Sequence, residues 1–137
     1  MKKKFSTSWI SSTKPSKQRK YRYNAPLHIL GKFASSLLSK DLRKKYGRRN
    51  LTLRKGDKVK VMRGQFKGKS GTIEAIIRSE SLAHITGVEI TKKEGAKRKI
   101  PVHTSNLMII EPNTEDKLRR KKLESASKAT KSKPVKQ

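Results

Sequence analysis

Within nine residues the chain sets Arg63, Gly64, Lys67, Gly68, Lys69 and Gly71, with Phe66 as the single aromatic among them. Glycines leave backbone amides open to close approach, and neighbouring ammonium and guanidinium groups supply positive charge. Together they suit the oxygens of a phosphate. The competing explanation is a compact turn whose glycines serve only the chain's own geometry and whose cations are solvated.

Other chemistries find no support. His28, His84 and His103 lie far apart, without the i, i+4 spacing of a metal site, and there is no cysteine to supply a thiolate ligand, nucleophile or disulfide. Asp57, Glu74, Glu80, Glu89, Glu94 and Glu111 read as turn or strand-surface carboxylates beside cations, with no pair demanding acid–base work. Gly-Lys-Ser at 68–70 superficially matches a P-loop, but only three residues separate Gly64 from Gly68 and no βαβ pattern surrounds it. The chain is therefore read as a non-enzyme without metal or cofactor.

The charge explains what such a loop would be for. Of 137 residues, 37 are Lys or Arg and 10 are Asp or Glu, a formal net charge of +27. A small domain is comfortable with a net charge of about 2–8, so a polyanion must offset the self-repulsion. Nucleic acid is the expected partner. No apolar run approaches the ~18 residues of a membrane span. The start, Met1-Lys2-Lys3-Lys4, is followed by Ser and Thr rather than the apolar stretch of a signal peptide. Residues 1–40 lack acids, yet lysine outnumbers arginine and no amphipathic stripe marks an organellar leader.

The elements that position the loop are concentrated in the middle. Residues 51–112 hold 22 of the 43 hydrophobic residues and carry 13 cations against 6 acids, whereas residues 1–50 carry 15 against 1. Lys58-Val59-Lys60-Val61 alternates with the period of a half-buried strand. Further strands are expected at 72–77, at 85–90 with a bulge or bend at Gly87, at 100–102 as an edge, and at 107–110. Five short strands suffice to close a small barrel. Four segments follow: 1–23, a basic extended arm, disordered on its own; 24–50, a short helical extension; 51–112, the barrel; and 113–137, a basic helix or tail. Pro26 sits well in a first helical turn, with Leu27, Leu30 and Ala34 at helical spacing. Ser39 is placed to cap a helix over 40–46 that Gly47 ends. Thr114 is a further cap candidate, and the chain from Ser125 onward reads as solvated tail.

The stretch Lys55-Gly56-Asp57 to Ile73 resembles the KOW motif, a module on SH3-like β-barrels. Two further stretches, 23–28 and 38–46, together with Val102-His103-Thr104-Ser105-Asn106-Leu107, narrow the likeness. They are similar to the universal KOW ribosomal proteins of the large subunit (family twenty-four) in their archaeal and eukaryotic form, over roughly Lys17 to Glu111. Thr104 and Leu37 stand where that family usually has proline, which predicts a less rigid turn at 104 and an earlier start to the second helix. The strand at 85–90 lacks the family's aromatics, which leaves its register open.

The resemblance implies a mostly β fold, a small five-stranded SH3-like barrel with a basic N-terminal extension containing short helices and a basic C-terminal tail. It also implies a structural role in the large subunit, in the cytoplasm, on the 5′ region of the rRNA near the nascent-chain tunnel exit and early in assembly. Expected partners are large-subunit rRNA and neighbouring ribosomal proteins, with no membrane and no self-association. Candidate RNA contacts are Lys14, Lys17, Arg19, Lys20, Arg22, His28, Arg43, Arg48, Arg49, Arg54, Arg63, Gly64, Lys67, Gly68 and Lys69. Trp9, Tyr21, Tyr23 and Phe66 are candidates to stack on bases; for Trp9 and the tyrosines the alternative is packing against another protein. A KOW elongation factor would need an additional α/β domain for which there is no room. A histone-like compactor would bind duplex DNA as well as structured rRNA.

Overall fold

The structure is a computed structural model that describes residues 5, 6 and 12–131. Trp9 lies outside the described residues. Helix α1, Pro15–Asn24, forms where the sequence predicts disorder. Pro15 opens it in the first turn, where the missing N–H costs nothing. No residue of α1 is buried, and ring contacts supply part of its docking: Tyr21 lies 4.8 Å from Phe5 and 6.2 Å from Phe33. Helix α2, Leu27–Phe33, begins one residue after Pro26, which stands at its N-cap. Its inward residues are Ile29 and Leu30; Leu27, assigned by spacing to the inner stripe, is exposed.

Strand β1, Ser35–Leu38, follows directly and occupies the place where an earlier start of the next helix was expected. Helix α3 spans Lys40–Tyr46. The Ser39 hydroxyl accepts from the Leu42 amide, and Gly47 ends the helix in the left-handed conformation at φ 62°. Both caps stand as the sequence predicts. Ser39→Ala is expected to cost about 1 kcal/mol, read from the midpoint of urea unfolding.

The remaining strands are β2, Asn50–Thr52; β3, Lys58–Val61; β4, Ser70–Ile77; β5, Leu82–Ile85; β6, Glu89–Thr91; β7, Lys97–Lys99; β8, Val102–His103; and β9, Leu107–Glu111. The expected five-stranded closed barrel gives way to a seven-stranded sheet in the order β2-β1-β9-β3-β4-β5-β8, whose edges β2 and β8 do not pair. Two of its strands come from the N-terminal side: β1 lies parallel to β9, Leu38 opposite Ile109, and antiparallel to β2. The expected strand at 85–90 breaks at Gly87, whose φ of 82° turns the chain out of β5 and into a separate two-stranded sheet of β6 and β7. Pro101 stops the expected strand at 100–102, and pairing resumes at Val102 on the sheet's edge.

The inner positions of the alternating strands meet in one core: Val59, Val61, Ile73, Ile85, Leu107 and Ile109 are each at most 1% exposed. Burying such a side chain contributes about 1.5–3 kcal/mol. Helix α4, Lys117–Lys131, extends through the region expected to be solvated tail and sends Leu123 into this core. It starts at Asp116, whose carboxylate accepts from the Leu118 amide 2.9 Å away, so Asp116 rather than Thr114 caps it. That hydrogen bond, with Arg54 beside it, holds the Asp116 carboxyl below the usual carboxylate range. Thr104 does not loosen its turn. It is buried, and its amide, which proline would lack, donates to the Ser81 carbonyl at 2.9 Å. Among the described residues no helix is long and apolar enough to cross a membrane.

Candidate nucleic-acid interface

The loop between β3 and β4 is framed by its own backbone. The Gly68 amide donates to the Val61 carbonyl at 2.9 Å, Lys67 to Gly64 at 3.1 Å, and Lys69 to Phe66 at 3.1 Å. Gly64 and Gly68 both take φ of 90°, a conformation a side chain would strain. Three amides expected to be open to phosphate are therefore already engaged. The loop's chemistry falls to its side chains. Arg63, Lys67 and Lys69 are exposed, and Lys69 sits 5.2 Å over the ring of Phe66, which is half-buried against the core. Phe66 thus packs inward more than it offers a stacking face.

At the other end of β3, the turn that enters the strand is held by a carboxylate that the sequence places merely in a turn. Asp57 is fully buried and receives four N–H groups. Arg119 donates to Oδ1 at 2.6 Å and Oδ2 at 2.8 Å, the Asn113 amide to Oδ1 at 2.8 Å, and the Arg54 amide to Oδ2 at 2.8 Å. The Arg119 guanidinium also reaches the Asn113 and Thr52 carbonyls, at 2.9 and 3.1 Å. A bidentate, fully hydrogen-bonded pair of this kind ties β2, the turn before β3, the chain after β9, and α4 at one point. Spacing offers no hint of it, since the two residues are 62 apart.

The other predicted contacts fall into separate groups. Lys14, Lys17, Arg19 and Lys20 are exposed on and just before α1. Arg22 turns inward, its Nη2 donating to Ser81 Oγ at 2.7 Å. Arg43 donates through Nε to the Leu38 carbonyl at 2.7 Å, and Arg54 pairs with Asp116. These three arginines hold the protein's own structure. Arg49 is exposed, while Arg48 is half-buried with Nε lacking a partner among the described residues. His28 is exposed on α2, away in sequence from the 63–69 loop. Tyr21 packs between rings, and Tyr23 is exposed.

Sequence reasoning also passed over the β6–β7 ribbon. Its strands pair Ile90 with Arg98 and Thr91 with Lys97, and Lys92, Lys93, Lys97 and Arg98 are exposed along it. At its base Lys99 bridges to Glu74, a bond that lowers the Glu74 carboxyl and raises the Lys99 ammonium. The run of cations from 92 to 99 was the available signal. Among the described residues no group of three His, Asp or Glu stands ready for a metal ion.

A β-rich sheet with a cationic loop, flanked by basic helices, defines the class as a small, strongly basic structural module. The family model that describes the L26 ribosomal proteins of eukaryotes and their archaeal L24 counterparts matches residues 12–126. The protein named "Large ribosomal subunit protein uL24" of Methanocorpusculum labreanum is 44% identical over 115 residues, 84% of this chain and 95% of that protein. Its namesake in Korarchaeum cryptofilum is 41% identical over 115 residues, covering 84% and 88%, and that of Methanospirillum hungatei 43% over 114, covering 83% and 95%. The chain belongs to this eukaryotic L26 and archaeal L24 family of ribosomal proteins. It is a structural constituent of the large ribosomal subunit, placed in the ribosome and hence in the cytoplasm. The match extends beyond the Lys17–Glu111 span of the sequence resemblance at both ends.

Proposed function

We propose that the chain binds the 5′ region of large-subunit rRNA, joins early in assembly and lies near the nascent-chain tunnel exit, beside other ribosomal proteins. The observation that carries RNA binding is the exposed set Arg63, Lys67 and Lys69 on a loop that its glycines and hydrogen bonds hold in one shape. None of the three enters an ion pair among the described residues. Their charge is available to phosphate, and each contact made releases condensed counterions. The exposed Lys14, Lys17, Arg19 and Lys20 of the arm add a second group of cations. Such contacts position the protein; shape and unpaired bases give discrimination. The region on the rRNA, the early timing and the tunnel exit come from the family resemblance.

The test is the salt dependence of affinity for a fragment from the 5′ region of the rRNA. Replacing Arg63, Lys67 and Lys69 with Ala should make the slope of log affinity against log salt shallower by about 2 to 3, at about 0.7–0.9 per lost contact. An unchanged slope would remove the loop from the interface.

A further inference from the structure

On the seam between α2, the sheet and α4 lies an open groove of about 310 Å³. Four separated stretches line it, at 28–34, 51–54, 76–78 and 118–122, so it exists only once the chain has folded. No carboxylate is among the lining residues, whereas His28, Lys32, Arg54, Arg78 and Lys122 are. Arg54 is paired with Asp116, but Lys32, Arg78 and Lys122 enter none of the ion pairs among the described residues. Leu51, Leu53 and Ile76 line it as well, and Leu118, 76% exposed, stands among the lining residues without an apolar cover. Aliphatic lining with unneutralised cations matches a ligand that is part flat ring and part anion. Its volume is at the lower end of those that admit a small molecule.

Gly31 adds an independent pointer. It lies inside α2, where glycine costs about 0.5–1 kcal/mol relative to alanine. Neither a left-handed φ nor crowding requires it, because a Cβ built there meets nothing within 4 Å. What glycine preserves at that position is the groove itself, which Gly31 lines.

We propose that this groove holds a single unstacked nucleotide of the bound RNA, its base against the aliphatic lining and the His28 ring, its phosphates held by Lys32, Arg78 and Lys122. The proposal rests on RNA binding as read above and adds a site outside the 63–69 loop.

The test uses the full chain and two RNA hairpins that differ by one unpaired nucleotide. The native protein should favour the bulged hairpin by about tenfold, the worth of one base packed against protein. Gly31→Phe, which fills the groove, should abolish that preference and leave affinity for the paired hairpin unchanged. The triple variant Lys32→Ala, Arg78→Ala, Lys122→Ala should also lose it; it decides the matter if circular dichroism shows α2 disturbed in Gly31→Phe. Equal native affinity for the two hairpins, or a preference that survives the triple variant, overturns the nucleotide site. Salt-insensitive or absent binding to both hairpins overturns RNA binding itself and the groove with it.

Discussion

Asp57→Ala is expected to destabilise the protein by about 3–5 kcal/mol, because it strands the Arg119 guanidinium in the interior without an anion. Both side chains are almost wholly buried, at 0% and 4% exposure, so water cannot take the place of the lost partner. The Arg54 and Asn113 amides lose their acceptor in the same step, which adds two unsatisfied donors. Arg119→Ala should cost a comparable amount by leaving the buried carboxylate with two of its four donors. Replacing both residues with apolar ones of similar size, Asp57→Leu with Arg119→Met, should restore a large part of the loss, since two buried charges and their desolvation leave together. Urea unfolding of the four proteins at neutral pH checks this. A single variant within 0.5 kcal/mol of native would show that the pair holds nothing together.

Gly71→Ala should be the second most damaging change, costing about 3 kcal/mol, the upper end for overfilling a packed site. Gly71 is paired with Val59 across β3 and β4 and lies against the turn that leaves β5. A Cβ there would sit 2.3 Å from the Thr86 carbonyl oxygen and 2.7 Å from Ile85 Cγ2. The first obstacle is backbone held in the ladder, since the Thr86 amide donates to Thr72 at 3.0 Å, so it cannot swing aside as a side-chain tip would. The comparison is Gly31→Ala, where the new methyl meets open space and the helix gains propensity; it should be neutral or slightly stabilising. Thermal unfolding of the two variants separates them. Equal midpoints would contradict the packing at Gly71.

What the sequence discloses of this fold follows the range of the interactions. Ser39 and Gly47 could be read because a helix cap is settled within four residues of itself. Val59 and Val61 could be read because strand alternation is local. The added strand β1 could not: Ser35-Ser36-Leu37-Leu38 does not alternate, and its partner β9 lies about 70 positions on. Nothing local to Arg119 sets it apart from the cations around it, since only the distant carboxylate of Asp57 offsets the burial of its charge. Leu118 and Leu123, five apart, make no apolar stripe, and α4 anchors through one leucine and one arginine instead of an apolar face. For the candidate interface, the loop cations are legible as a cluster, but which arginines are engaged within the fold, as Arg22 and Arg43 are inward and Arg54 is in a surface ion pair, depends on tertiary partners.

The lateness of Arg119 has a consequence for biosynthesis. At a translation rate of about 5–20 residues per second, the carboxylate at 57 is made roughly 3–12 s before the guanidinium that neutralises it. Until then the nascent polypeptide contains a carboxylate whose burial no cation offsets, and the core lacks Leu123. Closure of the core thereby waits on residues 119 and 123. A product terminated short of residue 119 would lack both anchors and should be cut by a protease faster than the full chain.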